Sequence, residues 1–226
     1  MYTLYIGNKN YSSWSLRPWI LLQELQIPFI EELVPFEDHG SWKKFREFSP
    51  TGLVPCLYDH DVVVWESLAI IEYLAEKHPQ VWPTDVKARA WARSATAEMH
   101  AGFNAMRSEC PMTVGLRIRL HNLTDALQAD LNRLSELWQQ GLDAFGGPFL
   151  AGDSFTGVDA FFAPVCFRVQ TYRLPLPESA NDYVSHILRG SSMQAWSQAA
   201  LTETFREPSH EDEIHALGEW LEDLRT

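Results

Sequence analysis

The stretch LVPCLYDHDVVVWESLAIIEYLAEKH, residues 53–78, constrains this chain more than any other. Two apolar runs flank the polar turn Asp59-His60-Asp61, and a turn that short forces them into an antiparallel pair. From Ser67 to Lys77 the apolar period becomes helical, so a helix leaves the second strand directly. Pro55 has no N–H for a ladder and belongs at an edge or first position of its strand. If the Val54–Pro55 bond is cis, the chain reverses there and turns the Val54 N–H and C=O outward.

Upstream, residues 2–6 predict a strand and residues 16–25 a helix apolar nearly all round. IPFIEELVPF predicts a strand after Pro28, and SWKKFREF a short amphipathic piece. The first 78 residues therefore read β-α-β-α-β-β-α. HPQVWPTD, with two prolines and no periodicity, reads as a linker. Beyond it strand signals stop. Residues 87–110 predict one long helix ending at Pro111, 122–145 a second and 157–172 a third, with shorter helices in 180–206 and 211–224. The expected fold is α/β plus all-α: residues 1–78 a mixed domain, 79–86 a linker, 87–226 an all-helical domain.

A net charge of −12 argues against a nucleic-acid partner, which needs a positive stripe, and against a polybasic membrane patch. GLRIRL is a local basic cluster able to hold a small anion. No apolar run approaches 18 residues, and the first residues enter a strand with no charged leader, so a cytoplasmic protein is expected. The three cysteines, Cys56, Cys110 and Cys166, form no CxxC pair and no zinc spacing, so no metal site is expected.

Three further features carry chemistry. NYSSWSLRPW, residues 10–19, brings three serines to a strand–helix junction. Pro18 is expected in the first helical turn, which puts the helix start near Ser15 as cap and leaves Ser12 and Ser13 facing whatever binds the helix mouth. Ser67 is either an N-cap or, with Glu66, a site for an amino-acid zwitterion: N–H groups for a carboxylate, the Glu66 carboxylate for an ammonium. Thr156 and Asp159 have capping-box spacing, which makes Asp159 a buried structural residue.

Taken in order, VPxL at Val54–Leu57, Glu66-Ser67 before LAIIEYLAEK, and T-x-x-D at Thr156–Asp159 resemble the cytosolic glutathione S-transferases over essentially the whole chain. SSWSLR is similar to the SSCSWR signature of the zeta class, the maleylacetoacetate isomerases, with Trp14 in place of cysteine and Leu16 in place of tryptophan. The resemblance implies a thioredoxin-like domain that binds glutathione as co-substrate, a helical domain, and a homodimer. It puts Ser12 at the catalytic serine position, with Ser13 as alternative or helper. Val54 and Pro55 would pair with the cysteinyl unit, and Glu66 and Ser67 would hold the γ-glutamyl end. His39, Lys43 or Lys44 would meet the glycyl carboxylate. A small electrophile would sit against Trp14, Met99, Phe103, Met106, Arg107 and Met112, where the competing reading for the apolar residues is interdomain core. The activity implied is conjugation, with isomerisation of the maleylacetoacetate type or a non-catalytic binding module as alternatives. A thiol oxidoreductase would need a reactive protein cysteine, for which Cys56 is the nearest candidate.

Overall fold

A computed structural model describes residues 1–38 and 40–226; His39, a candidate for the glycyl end, lies outside the described residues. The first part runs β1 (Tyr2–Ile6), α1 (Ser13–Glu24), β2 (Phe29–Leu33), α2 (Trp42–Phe45), β3 (Cys56–Asp59), β4 (Val62–Trp65) and α3 (Ser67–Lys77). The sheet order is β2-β1-β3-β4: β1 and β2 are parallel, and β3 is antiparallel to both β1 and β4. The β3–β4 turn is tighter than expected. Asp59 pairs with Val62, which leaves His60 and Asp61, with His60 at φ +57°.

A 3₁₀ turn at Pro79–Val81 leads to α4 (Val86–Ala101), α5 (Asn104–Glu109), β5 (Leu116–Leu120), α6 (Asp125–Phe145), α7 (Gly157–Tyr172), α8 (Glu178–Arg189), α9 (Ser191–Thr202), α10 (Pro208–Leu217) and β6 (Gly218–Asp223). Two expectations are corrected here. The single helix over 87–110 is two helices, because Gly102 is extended and Phe103 is left-handed at φ +56°. The second part is not purely helical. GLRIRL is β5, with Leu116 and Ile118 buried, and it pairs antiparallel with β6 at the chain's end. A strand that alternates apolar and basic residues suits a two-stranded ribbon with one buried face.

The core runs through both parts around α7, which is buried nearly all round and packs on α1, α4, α8 and β5. Its start is held by Asp159, fully buried as expected. Asp159 accepts hydrogen bonds from Leu150 N–H (3.0 Å), Thr156 N–H (3.0 Å), the Thr156 hydroxyl (3.2 Å) and the Tyr183 hydroxyl (3.1 Å). The Thr156 N–H bond is the half of a capping box that the Thr-x-x-Asp spacing predicts.

Candidate functional site

The first turn of α1, the segment before β3 and the start of α3 meet at a cleft of about 270 Å³ lined by Trp14, Thr51, Leu53, Val54, Pro55, Glu66 and Ser67. The Val54–Pro55 bond is cis. Among the described residues no group hydrogen-bonds the Val54 main chain, because the β3 ladder begins at Cys56. Glu66 precedes α3 with φ +69°, a conformation that costs a residue with a side chain about 1–3 kcal/mol and aims its exposed carboxylate out of the ladder.

Ser67 does not cap α3. It is the first helical residue, fully buried, and its oxygen accepts from Arg17 Nη1 at 3.3 Å. That contact occupies an acceptor position and leaves the hydroxyl hydrogen for a ligand. The free N–H groups of the first turn of α3 add a positive end to the same cleft.

The start of α1 also differs from the expectation. The helix begins at Ser13, so Pro18 lies in its second turn and α1 forgoes one ladder bond there. Burial against the sheet and α7 compensates for the missing bond. Ser15, expected as the cap, is inside the helix, where its oxygen accepts from Gly7 N–H (3.1 Å) and from the Ser12 hydroxyl (2.7 Å). Ser12 holds the cap position without a side-chain cap bond. Ser13 accepts from Arg168 Nη2 at 3.3 Å. Both Ser12 and Ser13 are nearly buried, at 5% and 7% exposure.

Three arginines surround this junction. Arg17 is fully buried between the rings of Trp14 and Phe161, 4.1 and 4.3 Å from their centroids. Burial and the nearby Arg107 and Arg168 hold its pKa well below the ordinary value. Arg107 lies over the Trp14 ring at 4.7 Å. Arg168 reaches in from α7, fixed by Nε on the Cys110 carbonyl at 2.8 Å. Among the described residues none of the three forms a salt bridge with a carboxylate.

The expected wall for the second substrate is corrected. Met99, Phe103, Met106 and Met112 are buried in the shared core. The break at Gly102–Phe103 turns α5 inward, and Arg107 folds back onto the Gly102, Met99 and His100 carbonyls. Lys43 is exposed on α2 and is not among the residues lining the cleft; Lys44 pairs with Glu37 at 3.5 Å. A second cleft of about 420 Å³ shares Leu53 with the first and is lined by Tyr11, Phe36, Trp42, Phe45, Glu207 and His210, among others.

Two site neighbours escaped the sequence reading. Arg168 is a single cation in the otherwise apolar run FFAPVCFRV, a signal that was there to be read. The C-terminal segment carried no such signal. Glu211 accepts from the Tyr11 hydroxyl at 2.5 Å and pairs with Arg225, which closes α10 and β6 over the loop that leads to Ser12. Burial and then that bond push the Tyr11 phenol upward, and the bond commits its proton to Glu211. No cysteine is activated either: burial raises Cys56 to about 11 and Cys110 to about 12, and also raises Cys166. Among the described residues no group of His, Cys, Asp and Glu is placed to hold a metal ion, and no helix is long and apolar enough to cross a membrane.

A thioredoxin-like sheet that presents two helix starts to one cleft, with helices packed behind it, defines a protein of thioredoxin-like sheet and helical parts with a cleft at their junction. Residues 11–77 match the family model of the glutathione S-transferase N-terminal domain, and residues 89–200 that of the C-terminal domain. The chain belongs to the glutathione S-transferase family and is an enzyme of that family. It is 29% identical over 153 residues to glutathione S-transferase Z2 of Arabidopsis thaliana, covering 63% of this chain and 67% of that protein. It is 25% identical over 192 residues to maleylacetoacetate isomerase of Rattus norvegicus, covering 81% and 84% of the two chains. Among solved structures, a glutathione transferase homologue from Burkholderia with bound glutathione superposes with a TM-score of 0.67 at 25% identity, covering 88% of this chain and 97% of that one.

Proposed function

We propose that glutathione lies along the Val54–Pro55, Glu66 and Ser67 cleft, and that a serine at the start of α1 stabilises its thiolate for attack on a small electrophile. The observation that carries the reading is the convergence of an unpaired Val54 main chain, the outward Glu66 and the buried Ser67 in one cleft at two helix starts. Glu66 meets the γ-glutamyl ammonium. Ser67 and the N–H groups of α3 meet its carboxylate, and Val54 meets the cysteinyl amide.

A thiol with an ordinary pKa of about 8.5 is only a few per cent ionised at neutral pH. Lowering it by about two units takes about 2.7 kcal/mol of preference for the thiolate. A hydrogen bond to a charged group contributes about 1.5–3 kcal/mol and a helix start about 0.3–1. One serine hydroxyl together with α1 therefore suffices. The serine donates to sulfur and does not act as a base; the thiol proton leaves to solvent.

The electrophile enters the second cleft, whose Tyr11, Phe36, Trp42 and His210 form an aromatic wall beside Leu53. In this reading residues 1–78 hold glutathione, and residues 87–226 pack behind the junction and contribute Glu207 and His210 to that cleft. A cytoplasmic homodimer completes it, and apolar exposure at Val62 and Trp65 on the edge strand β4 favours a second copy there. Isomerisation of the maleylacetoacetate type, the reaction in the name of the rat relative, would use the same thiolate. A panel of electrophiles with glutathione, including a maleylacetoacetate analogue, separates the outcomes. Turnover on any member supports catalysis, and isomer formation without conjugate supports the second reading. Glutathione binding with no turnover on any of them counts against the thiolate mechanism proposed here.

A further inference from the structure

We infer that Ser13, not Ser12, is the hydroxyl that donates to the thiolate, and that Arg168 of the helical domain is the residue that positions and polarises it. This rests on the glutathione reading above. The hydrogen-bond pattern separates two serines that look alike in sequence. The Ser12 hydrogen is used: it donates to Ser15 at 2.7 Å, and Ser15 is in turn held by Gly7 N–H. Ser13 is arranged the other way. Its oxygen receives a charged donor, Arg168 Nη2 at 3.3 Å, and its own hydrogen has no acceptor among the described residues. A hydroxyl that accepts from a guanidinium is a stronger donor through its own hydrogen, because each bond polarises the next.

Arg168 is itself placed rigidly. It is 4% exposed, and Nε donates to the Cys110 carbonyl at 2.8 Å. Nη1 is buried without a partner. No carboxylate pairs with it, and Arg107 on α5 and Arg17 on α1 add like charge nearby. Cys110 and Tyr172 are the other titratable groups near it, and burial keeps both protonated. Burial and Arg17 push the pKa of His100 on α4 down. Glu66 attracts Arg17 and Asp130 attracts Arg107, whereas no carboxylate faces Arg168 among the described residues, and the charge that satisfies it is one that forms at Ser13: the thiolate of bound glutathione. Burial and Arg107 lower Arg168 to about 10, the direction expected of a guanidinium short of a counter-charge. The helical domain, 155 residues away in sequence, thereby tunes chemistry done on the first domain.

The test is the ultraviolet absorbance of bound glutathione thiolate against pH, for the full chain and for Ser12→Ala, Ser13→Ala, Arg168→Gln, Arg168→Lys and the Ser13→Ala/Arg168→Gln pair. Ser13→Ala is expected to raise the thiol pKa by about one to two units and Ser12→Ala by less than half a unit. Arg168→Gln is expected to raise it by about one unit with glutathione Kd changed less than threefold, and Arg168→Lys to restore part of the shift. On the Ser13→Ala background Arg168→Gln should add little, since the two act as a unit. A larger shift in Ser12→Ala than in Ser13→Ala overturns the inference, as do additive shifts in the pair. So does an Arg168→Gln protein that folds, binds glutathione and keeps the native pKa. If Arg168→Gln does not fold, the order of the two serine variants decides. A wild-type chain that binds no glutathione, or never shows the thiolate band, refutes the glutathione reading itself, which is a different result.

Discussion

Replacing Asp159 by alanine should destabilise the protein by about 4 kcal/mol while leaving turnover per folded molecule nearly unchanged. At neutral pH the buried carboxylate accepts four hydrogen bonds. Two of the donors, the Thr156 and Tyr183 hydroxyls, can rotate away when the carboxylate is removed. The N–H groups of Leu150 and Thr156 cannot, and each buried orphan costs about 1–3 kcal/mol. Loss of the cap at α7 adds about 1 kcal/mol. Removing a charge from the interior offsets part of the total, which brings the sum to about 4 kcal/mol. The helix that frays is the one on which α1, α4 and α8 pack, so the loss is global. Urea unfolding followed by tryptophan fluorescence measures it: the midpoint should fall by about 1–3 M with the m-value unchanged. A midpoint within error of wild type refutes the reasoning. So would activity lost in a variant that unfolds at the native midpoint, because Asp159 would then be acting on the site.

Ser67→Ala should weaken glutathione binding about tenfold by calorimetry without moving the thiol pKa, since Ser67 meets the glutamyl end and not the sulfur. Tyr11→Phe should leave the pKa of bound glutathione in place, because the phenol hydrogen is committed to Glu211; a rise of a unit or more would make Tyr11 the sulfur donor. The Glu211–Arg225 pair holds the Glu211 carboxyl below its ordinary value, so its contribution is present above about pH 4.5 and is lost as pH falls through the lowered folded value. Glu211→Gln should accordingly speed amide exchange in β6 at neutral pH and match wild type under acid; equal exchange at pH 7 counts against the contact as the latch of the C-terminal segment. Thiol alkylation should leave activity intact because all three cysteines are buried with raised pKa; inactivation by it would revive a redox reading.

Local signals were enough for the elements that depend on neighbours along the chain. The β3–β4 hairpin, α3 and the Thr156–Asp159 cap were legible because apolar period, turn residues and cap spacing all act within a few positions. Val54, Glu66 and Ser67 come to one cleft because each stands at an element boundary. The break at Gly102–Phe103 also had a local sign, a glycine in a helical run, but an uninterrupted apolar pattern outweighed it. What sequence order could not contain is contact between segments far apart. Arg119 and Glu219 share the β5–β6 ribbon across 100 residues, and Tyr11 and Glu211 meet across 200. Ser12 and Ser13 are identical side chains one position apart, so nothing local distinguishes them. Ser12 is the cap, with non-helical backbone at φ −80° and ψ 83°, and Ser13 is the first helical residue, which turns one hydroxyl to Ser15 and the other to Arg168 on α7. Serines at the mouth of α1 follow from the local order of residues, whereas the packing of α7 against that mouth sets which of them has a hydrogen left to give.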